Sequence, residues 1–160
     1  IVSTRGVMRD CVYWAADAGV PLHVWGSGWY EMMPEHKDVV DGTFMPNEKL
    51  PALYRSAKVT LNDHWKDMLD NQIINNRIFD ALACGLPVIS DGCDEMKEIC
   101  PDAVLYYDTK EEFDACIKKV ENDYEAVKAK ALEQYDMIKK EYSFERRVEE
   151  LLEIAEKYKK

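Results

Sequence analysis

Histidine is scarce in this chain: His23, His36 and His64 are the only three, and they stand in unrelated segments. The five cysteines (Cys11, Cys84, Cys93, Cys100 and Cys116) are odd in number, and no two are spaced as Cys-x-x-Cys. Both facts argue against a zinc cluster or a disulfide framework, so no metal is expected and the thiols read as reduced. Long apolar runs are also missing. The most continuous, Ala81 to Ile89, contains Gly85 and Pro87 and is far too short to cross a bilayer. No basic-then-apolar leader opens the chain, so a cytoplasmic location without a transmembrane segment is expected. Positive charge is in deficit, 21 bases against 31 acids, for a net charge of -10. That balance argues against general nucleic-acid or acidic-membrane binding, although a local basic site can survive within it. No repeat, low-complexity tract or long linker divides the chain.

What is present fits one globular domain over residues 1–160, since 160 residues with 47% hydrophobic content can bury a sizeable core. The chain opens Ile1-Val2-Ser3-Thr4, without Met and on what reads as the tail of a strand, so a piece of a longer protein is expected. Short apolar runs bounded by Gly, Pro, Asp or Asn predict buried strands at Val20–Trp25, Lys58–Asn62, Leu86–Ser90 and Ala103–Tyr107, with Ile1–Ser3 a truncated fifth. Helical patterning predicts Val7–Ala18, Lys49–Ser56, Asn76–Cys84 and Asp94–Ile99 between them. Buried strands alternating with helices imply parallel βαβ units. The expected fold is therefore α/β, a Rossmann-like three-layer α/β/α arrangement with a parallel sheet, plus C-terminal helices. The last sixty residues supply those helices, at Glu111–Asn122, Tyr124–Glu141 and Phe144–Lys159. In the last of them Val148, Leu151, Leu152 and Ala155 form one apolar stripe, which predicts a helix packed against the sheet.

In an open parallel sheet, ligands bind beyond the carboxyl ends of the strands. The segments after the predicted strands are Thr4-Arg5-Gly6, Gly26-Ser27-Gly28-Trp29, Asp63-His64-Trp65 and Asp91-Gly92-Cys93-Asp94, and they should converge into a polar cleft. Thr4-Arg5-Gly6 leads into the first helix with Arg9 four residues beyond Arg5. This suits a phosphate or diphosphate, or else is a capping Thr with two solvated arginines. Gly26-Ser27-Gly28 is only a fragment of a dinucleotide fingerprint, without the third glycine or a convincing following helix. His64 and Trp65 suit a sugar or base, or else Trp65 packs under its loop. In Asn76–Cys84, Ile78, Phe79, Leu82 and Ala83 share a core-facing side, while Asn76, Asp80 and Cys84 lie one turn apart on another stripe. Asp80 is thus an acid among small apolar neighbours. It either accepts hydrogen bonds from vicinal hydroxyls, as in a ribose, or pairs with Arg77 or backbone.

The run Asn75-Asn76-Arg77-Ile78-Phe79-Asp80-Ala81-Leu82-Ala83-Cys84-Gly85-Leu86-Pro87-Val88-Ile89-Ser90-Asp91 resembles the carboxyl-half signature of group 1 glycosyltransferases of the GT-B fold. It is most similar to the branch resembling spore-maturation glycosyltransferases, which carries an acid followed by Ala-x-Ala-x-Gly-x-Pro-Val. The likeness continues through Tyr54-Arg55-Ser56-Ala57-Lys58, Leu61-Asn62-Asp63-His64-Trp65 and Tyr142-Ser143-Phe144-Glu145-Arg146-Arg147.

The resemblance implies the donor-binding C-terminal half of a two-domain transferase that moves a sugar from a nucleoside-diphosphate sugar to an acceptor without metal. Its partners would be the nucleotide-sugar donor and, through an N-terminal domain outside this chain, a glycan, protein or small-molecule acceptor. No separate cofactor is implied, and this half alone would be inactive. In the family the acid at the Asp80 position holds the ribose. Thr4, Arg5 and Arg9 would approach the diphosphate, Phe44 the nucleobase, and Gln72, Asn75 and Asn76 the sugar and phosphates, with Gly26 and His64 completing the donor site. No residue here is assigned as catalytic base, which would come from the other half. The wider family often has Glu-x7-Glu, and this chain departs from it with the amide Gln72 at the first position and the shorter acid Asp80 at the second. The alternative is a non-catalytic Rossmann-like module that binds nucleotide or protein. A phosphoacceptor signalling domain is disfavoured by the lack of an acidic pair after the first strand.

Overall fold

The computed structural model describes residues 8–159, so the predicted strand at Ile1–Ser3 and the start of the Val7–Ala18 helix lie outside the described residues. The elements in chain order are α1 (Asp10–Asp17), β1 (Val24–Trp25), α2 (Trp29–Met32), β2 (Val40–Gly42), α3 (Leu50–Ser56), β3 (Thr60–Asn62), α4 (Lys66–Asp70), α5 (Asn76–Leu82), β4 (Val88–Ser90), α6 (Asp94–Ile99), β5 (Val104–Tyr106), α7 (Lys110–Asn122), α8 (Tyr124–Glu141) and α9 (Phe144–Lys157). Among the described residues every strand pairing is parallel. β3, β4 and β5 form one sheet in that order, and β1 pairs with β2 in a second. The fold is Rossmann-like α/β with C-terminal helices.

Strand alternation explains the layers. In register, Leu61, Ile89 and Leu105 stand side by side, as do Thr60, Val88 and Val104. Successive side chains of a strand point to opposite faces, so these two rows serve two different cores. The first row packs with Cys11, Val12 and Ala15 of α1 and with Phe113 and Val120 of α7, a core that also takes in Val24, Trp29 and Val40. Of the second row, Val88 and Val104 pack with Ile78, Ala81 and Leu82 of α5, Met96 of α6, and Ala131 and Ile138 of α8. Each fully buried Val, Leu or Ile contributes about 1.5–3 kcal/mol from removal of its surface from water. Helices therefore cover both faces of the sheet, and both faces must be apolar.

Local signals set the boundaries. Thr109 caps α7 in a reciprocal box, accepting the Glu112 N–H at 3.2 Å while the Glu112 carboxylate accepts the Thr109 N–H at 3.2 Å. Asp123 and Ser143 cap α8 and α9 through their side chains. At the end of α5, Gly85 adopts φ +69° while the Leu86 N–H reaches back to the Ala81 carbonyl at 3.0 Å. A Cβ at Gly85 would fall 2.9 Å from Leu132 Cδ2, a flexible side-chain end that can move aside, so it is the conformation that requires glycine there.

The observed strands are shorter than the apolar runs that announce them, because only their central residues pair in the ladder. Val40–Gly42 and α4 go beyond the sequence reading, and a short helix, α2, does follow Gly28. The largest difference is at α9. No residue of this helix is buried, and Val148, Leu151 and Leu152 are 54%, 65% and 61% exposed. The stripe predicted to pack on the sheet instead faces outward. The five cysteines are unpaired; four are buried and Cys84 is partly so. Among the described residues no helix is long and apolar enough to cross a membrane.

Candidate functional site

Because β3 and β4 are parallel, the chain leaves both at the same edge of the sheet. Asn62, Asp63 and His64 end or follow β3, and Ser90 and Asp91 end or follow β4. Asn62 and Ser90 are register partners and fully buried. The Asn62 amide donates to Ser90 Oγ at 2.8 Å. Its carbonyl oxygen accepts from Asn75 Nδ2 at 2.9 Å and from Arg77 Nη1 at 2.5 Å. The Tyr107 hydroxyl donates to the Asn62 backbone carbonyl at 3.1 Å. One side chain thus ties β3 to β4 and to the first turn of α5.

A second chain of bonds runs beside it. His64 is buried, with Nδ1 2.6 Å from Asp91 Oδ1 and Nε2 3.3 Å from the Asn75 N–H. The backbone amide can only donate, so Nε2 is the acceptor and the ring proton sits on Nδ1, directed at Asp91. The His64 N–H also donates to the Asp91 carboxylate at 3.0 Å. Both ring nitrogens are therefore engaged inside the protein. Asn75, just ahead of α5, also donates to the Asp63 carbonyl at 3.3 Å, while its own Oδ1 is buried without a hydrogen-bond partner.

Arg9 precedes α1 and reaches the same edge. It is buried, its Nη1 lies 2.9 Å from Asp63 Oδ1, and its guanidinium sits 5.4 Å from the ring centroid of the exposed Trp65. Burial raises the Asp63 carboxyl from 3.8 to about 6; Arg9 opposes the rise, Asp91 adds to it, and Arg77 and His64 oppose it. Burial likewise pushes the neighbouring Cys11 thiol up to about 12 and raises Tyr107, so neither is ionised near neutrality.

Asp80 lies one turn along α5 from Arg77. It is exposed, and partial desolvation of its carboxyl raises its pKa while the Arg77 guanidinium pulls it down. Arg77 joins Asp80 electrostatically to the hydrogen-bonded cluster around Asn62. Tyr54 of α3 feels Arg77, Asp80 and Cys84, so that stripe of α5 runs past α3.

Of the donor-site residues expected from the sequence, Arg9, His64 and Asn75 meet in this cluster, and Asp80 adjoins it through Arg77. Asn76 is exposed at the first position of α5. Gln72, with φ +57°, accepts the Glu95 N–H at 3.3 Å and so spans to the first turn of α6. Gly26 continues the β1–β2 ladder, its N–H donating to the Gly42 carbonyl at 2.8 Å. Phe44 is 75% exposed on the loop after β2. Thr4 and Arg5 lie outside the described residues. Sequence reading missed Asn62, Arg77, Ser90 and Tyr107 as members of the cluster. The usable signal was a polar residue at the last position of each of two adjacent apolar strands. Among the described residues no three His, Cys, Asp or Glu side chains are grouped to hold a metal ion.

A family model described as glycosyl transferase-like matches residues 5–153. Comparison with curated proteins and with solved structures gave no match.

Proposed function

The chain belongs to the glycosyl transferase-like family, and we propose that it is the nucleotide-sugar-binding, C-terminal half of a GT-B glycosyltransferase of the spore-maturation-like branch. The observation that supports this reading is the gathering of Arg9, Asp63, His64, Asn75 and Arg77 at the carboxyl edge of a parallel sheet, with Asp80 one turn away. That edge is where open α/β sheets receive ligands. In the proposal Asp80 accepts hydrogen bonds from the ribose hydroxyls, Arg5 and Arg9 face the diphosphate, and the segment from Gln72 to Asn76 borders the sugar.

The reaction needs positive charge at the leaving group. As the bond from sugar to diphosphate breaks, negative charge grows on the phosphate oxygens and the sugar becomes oxocarbenium-like. Fixed cations already in place stabilise that charge without reorganising during the step. Arginine supplies it here, without a metal ion. The acceptor and any base that deprotonates it belong to the other domain, so this chain binds donor but does not turn over alone.

Calorimetric or NMR titration with UDP, GDP and ADP tests the reading. One of them should bind, and Asp80→Ala should weaken it by about tenfold to a hundredfold, the value of hydrogen bonds to a charged carboxylate. No binding at millimolar concentration, or binding indifferent to Asp80, refutes it. A second reading is a non-catalytic module, favoured by Gln72, whose amide bonds to the Glu95 N–H where the wider family has an acid. Sugar transfer by the longer parent protein would eliminate that rival.

A further inference from the structure

The two acids at the cluster are held very differently. Asp91 receives the His64 N–H and Nδ1–H and, at 3.3 Å, the Ser90 hydroxyl. Among the described residues Asp63 receives one side-chain hydrogen bond, from Arg9 at 2.9 Å. It lies near the Asp91 carboxylate, so its charge is opposed as well as paired. Arg9 is equally confined. Its side chain is 9% exposed, with Asp63 at 16% and the exposed Trp65 ring beside it. An anion entering past Trp65 would meet a guanidinium already occupied by an acid. Desolvation cancels much of the attraction in such a buried pair, so an incoming anion can displace the acid provided the carboxylate left behind is neutralised.

We propose that Asp63 is an internal stand-in for a ligand phosphate: the Arg9 guanidinium passes from Asp63 to the incoming diphosphate, and the displaced carboxylate takes up one proton from solvent. The proposal rests on the donor-site reading above and adds a residue and a proton to it. The balance is simple. The ion pair opens, Arg9 pairs with a phosphate oxygen, and a solvent proton neutralises Asp63.

Electrostatics favours the exchange. In the empty site the Asp63 carboxyl titrates at about 6, with burial raising it and Arg9 the strongest influence keeping it down. Removing Arg9 and adding a phosphate both push it further up. The groups facing it are Arg9 ahead of α1, Asp91 after β4, Arg77 on α5 and its neighbour His64, with the Cys11 thiol and Tyr107 phenol close by. Asp91 opposes ionisation of Asp63, while Arg77 and His64 favour it. Cys11 and Tyr107 are neutral in this range and stay so. A ligand without phosphate, such as a nucleoside, leaves the ion pair closed and binds without the proton.

Calorimetry at pH 7.0 in two buffers of different ionisation heat counts the protons taken up on binding. The probes are UDP, GDP, ADP and inorganic pyrophosphate, with uridine as the phosphate-free control. Comparing the wild-type chain with D63N cancels the ionisation of the probe itself. With an empty-site value of about 6, the wild type should take up about 0.5–0.9 proton more than D63N. Relative to D63N, its affinity should fall by up to about 25-fold between pH 5.5 and 7.5. Equal proton counts in the two proteins overturn the exchange while leaving the donor site standing. Failure of all three nucleotides to bind overturns the donor site and the exchange with it. Pyrophosphate binding in that case would mark an anion site unrelated to a sugar donor, also against the proposal. Should D63N fail to fold, carboxyl carbon NMR of Asp63 in the wild type decides. Its titration midpoint must rise when the bound nucleotide saturates the site, and an unchanged midpoint refutes the proposal.

Discussion

Replacing the fully buried Asn62 by Leu keeps a branched side chain of four heavy atoms, adds some bulk and removes all of the side chain's hydrogen bonding. The Arg77 guanidinium loses the acceptor at 2.5 Å, Asn75 Nδ2 keeps only the longer bond to the Asp63 carbonyl, and Ser90 Oγ loses a donor. Losing a hydrogen bond from a charged donor costs about 1.5–3 kcal/mol, and losing each neutral bond about 0.5–1.5 kcal/mol. Leu returns about 1 kcal/mol of apolar burial. The net expectation is a loss of about 3 kcal/mol, a large fraction of the roughly 5–15 kcal/mol that holds a domain together. Urea unfolding followed by circular dichroism should show the midpoint fall at an unchanged slope, with the melting temperature down by about 6–12 °C. A double-mutant cycle with Ser90→Ala isolates the Asn62–Ser90 bond, and the double variant should be less destabilised than the sum of the singles. If Asn62→Leu comes within 1 kcal/mol of wild type, the hub does not tie the strands to α5.

The Asp63 carboxyl also predicts a pH slope for stability. Its folded value of about 6 exceeds the unfolded 3.8, so the native state keeps a proton that the unfolded chain has lost. Its contribution is therefore most favourable at low pH and declines as pH rises through 6. Between pH 5 and 7.5, D63N should gain about 1.4 kcal/mol relative to wild type, and parallel curves would contradict the shift. Truncation ahead of Phe144 removes a helix with no buried residue, so the unfolding midpoint should hardly move, within about 0.5–1 kcal/mol. A loss above about 2 kcal/mol would show that α9 packs after all. Thr109→Ala removes half of the α7 capping box and should cost about 1 kcal/mol by urea titration, whereas Thr109→Ser should be near neutral.

The sheet was legible because its strands are buried on both faces. Val88 and Ile89 look to opposite cores, so both had to be apolar, and the run shows in the sequence. The cluster at its edge was only half legible. Asp63, His64 and Asp91 drew attention as polar residues beyond apolar runs, but Asn62 read as a boundary when it is a fully buried hub. Nothing local marks an asparagine whose partners lie 13, 15 and 28 residues away. Arg77 was read as a possible partner of Asp80, which it does influence electrostatically, but the hydrogen bond it also makes to Asn62 went unseen. Periodicity also misled at α9. A stripe of Val148, Leu151 and Leu152 records amphipathicity, and amphipathicity names no partner. Gln72 shows the same limit, since a position inferred from a motif gave no hint that its side chain would span to α6.

The uneven burial of the five cysteines turns one of them into a ready optical handle. Cys11, Cys93, Cys100 and Cys116 are buried, and burial pushes Cys11 and Cys100 up to about 12, which leaves them almost no reactive thiolate. Cys84 is the partly exposed one; desolvation and Asp80, four residues earlier, raise the pKa of its thiol while Arg55 lowers it. A small maleimide dye should therefore react there ahead of the four buried thiols, and faster at mildly alkaline pH. Its emission would then report from four residues beyond the acid proposed to hold the ribose.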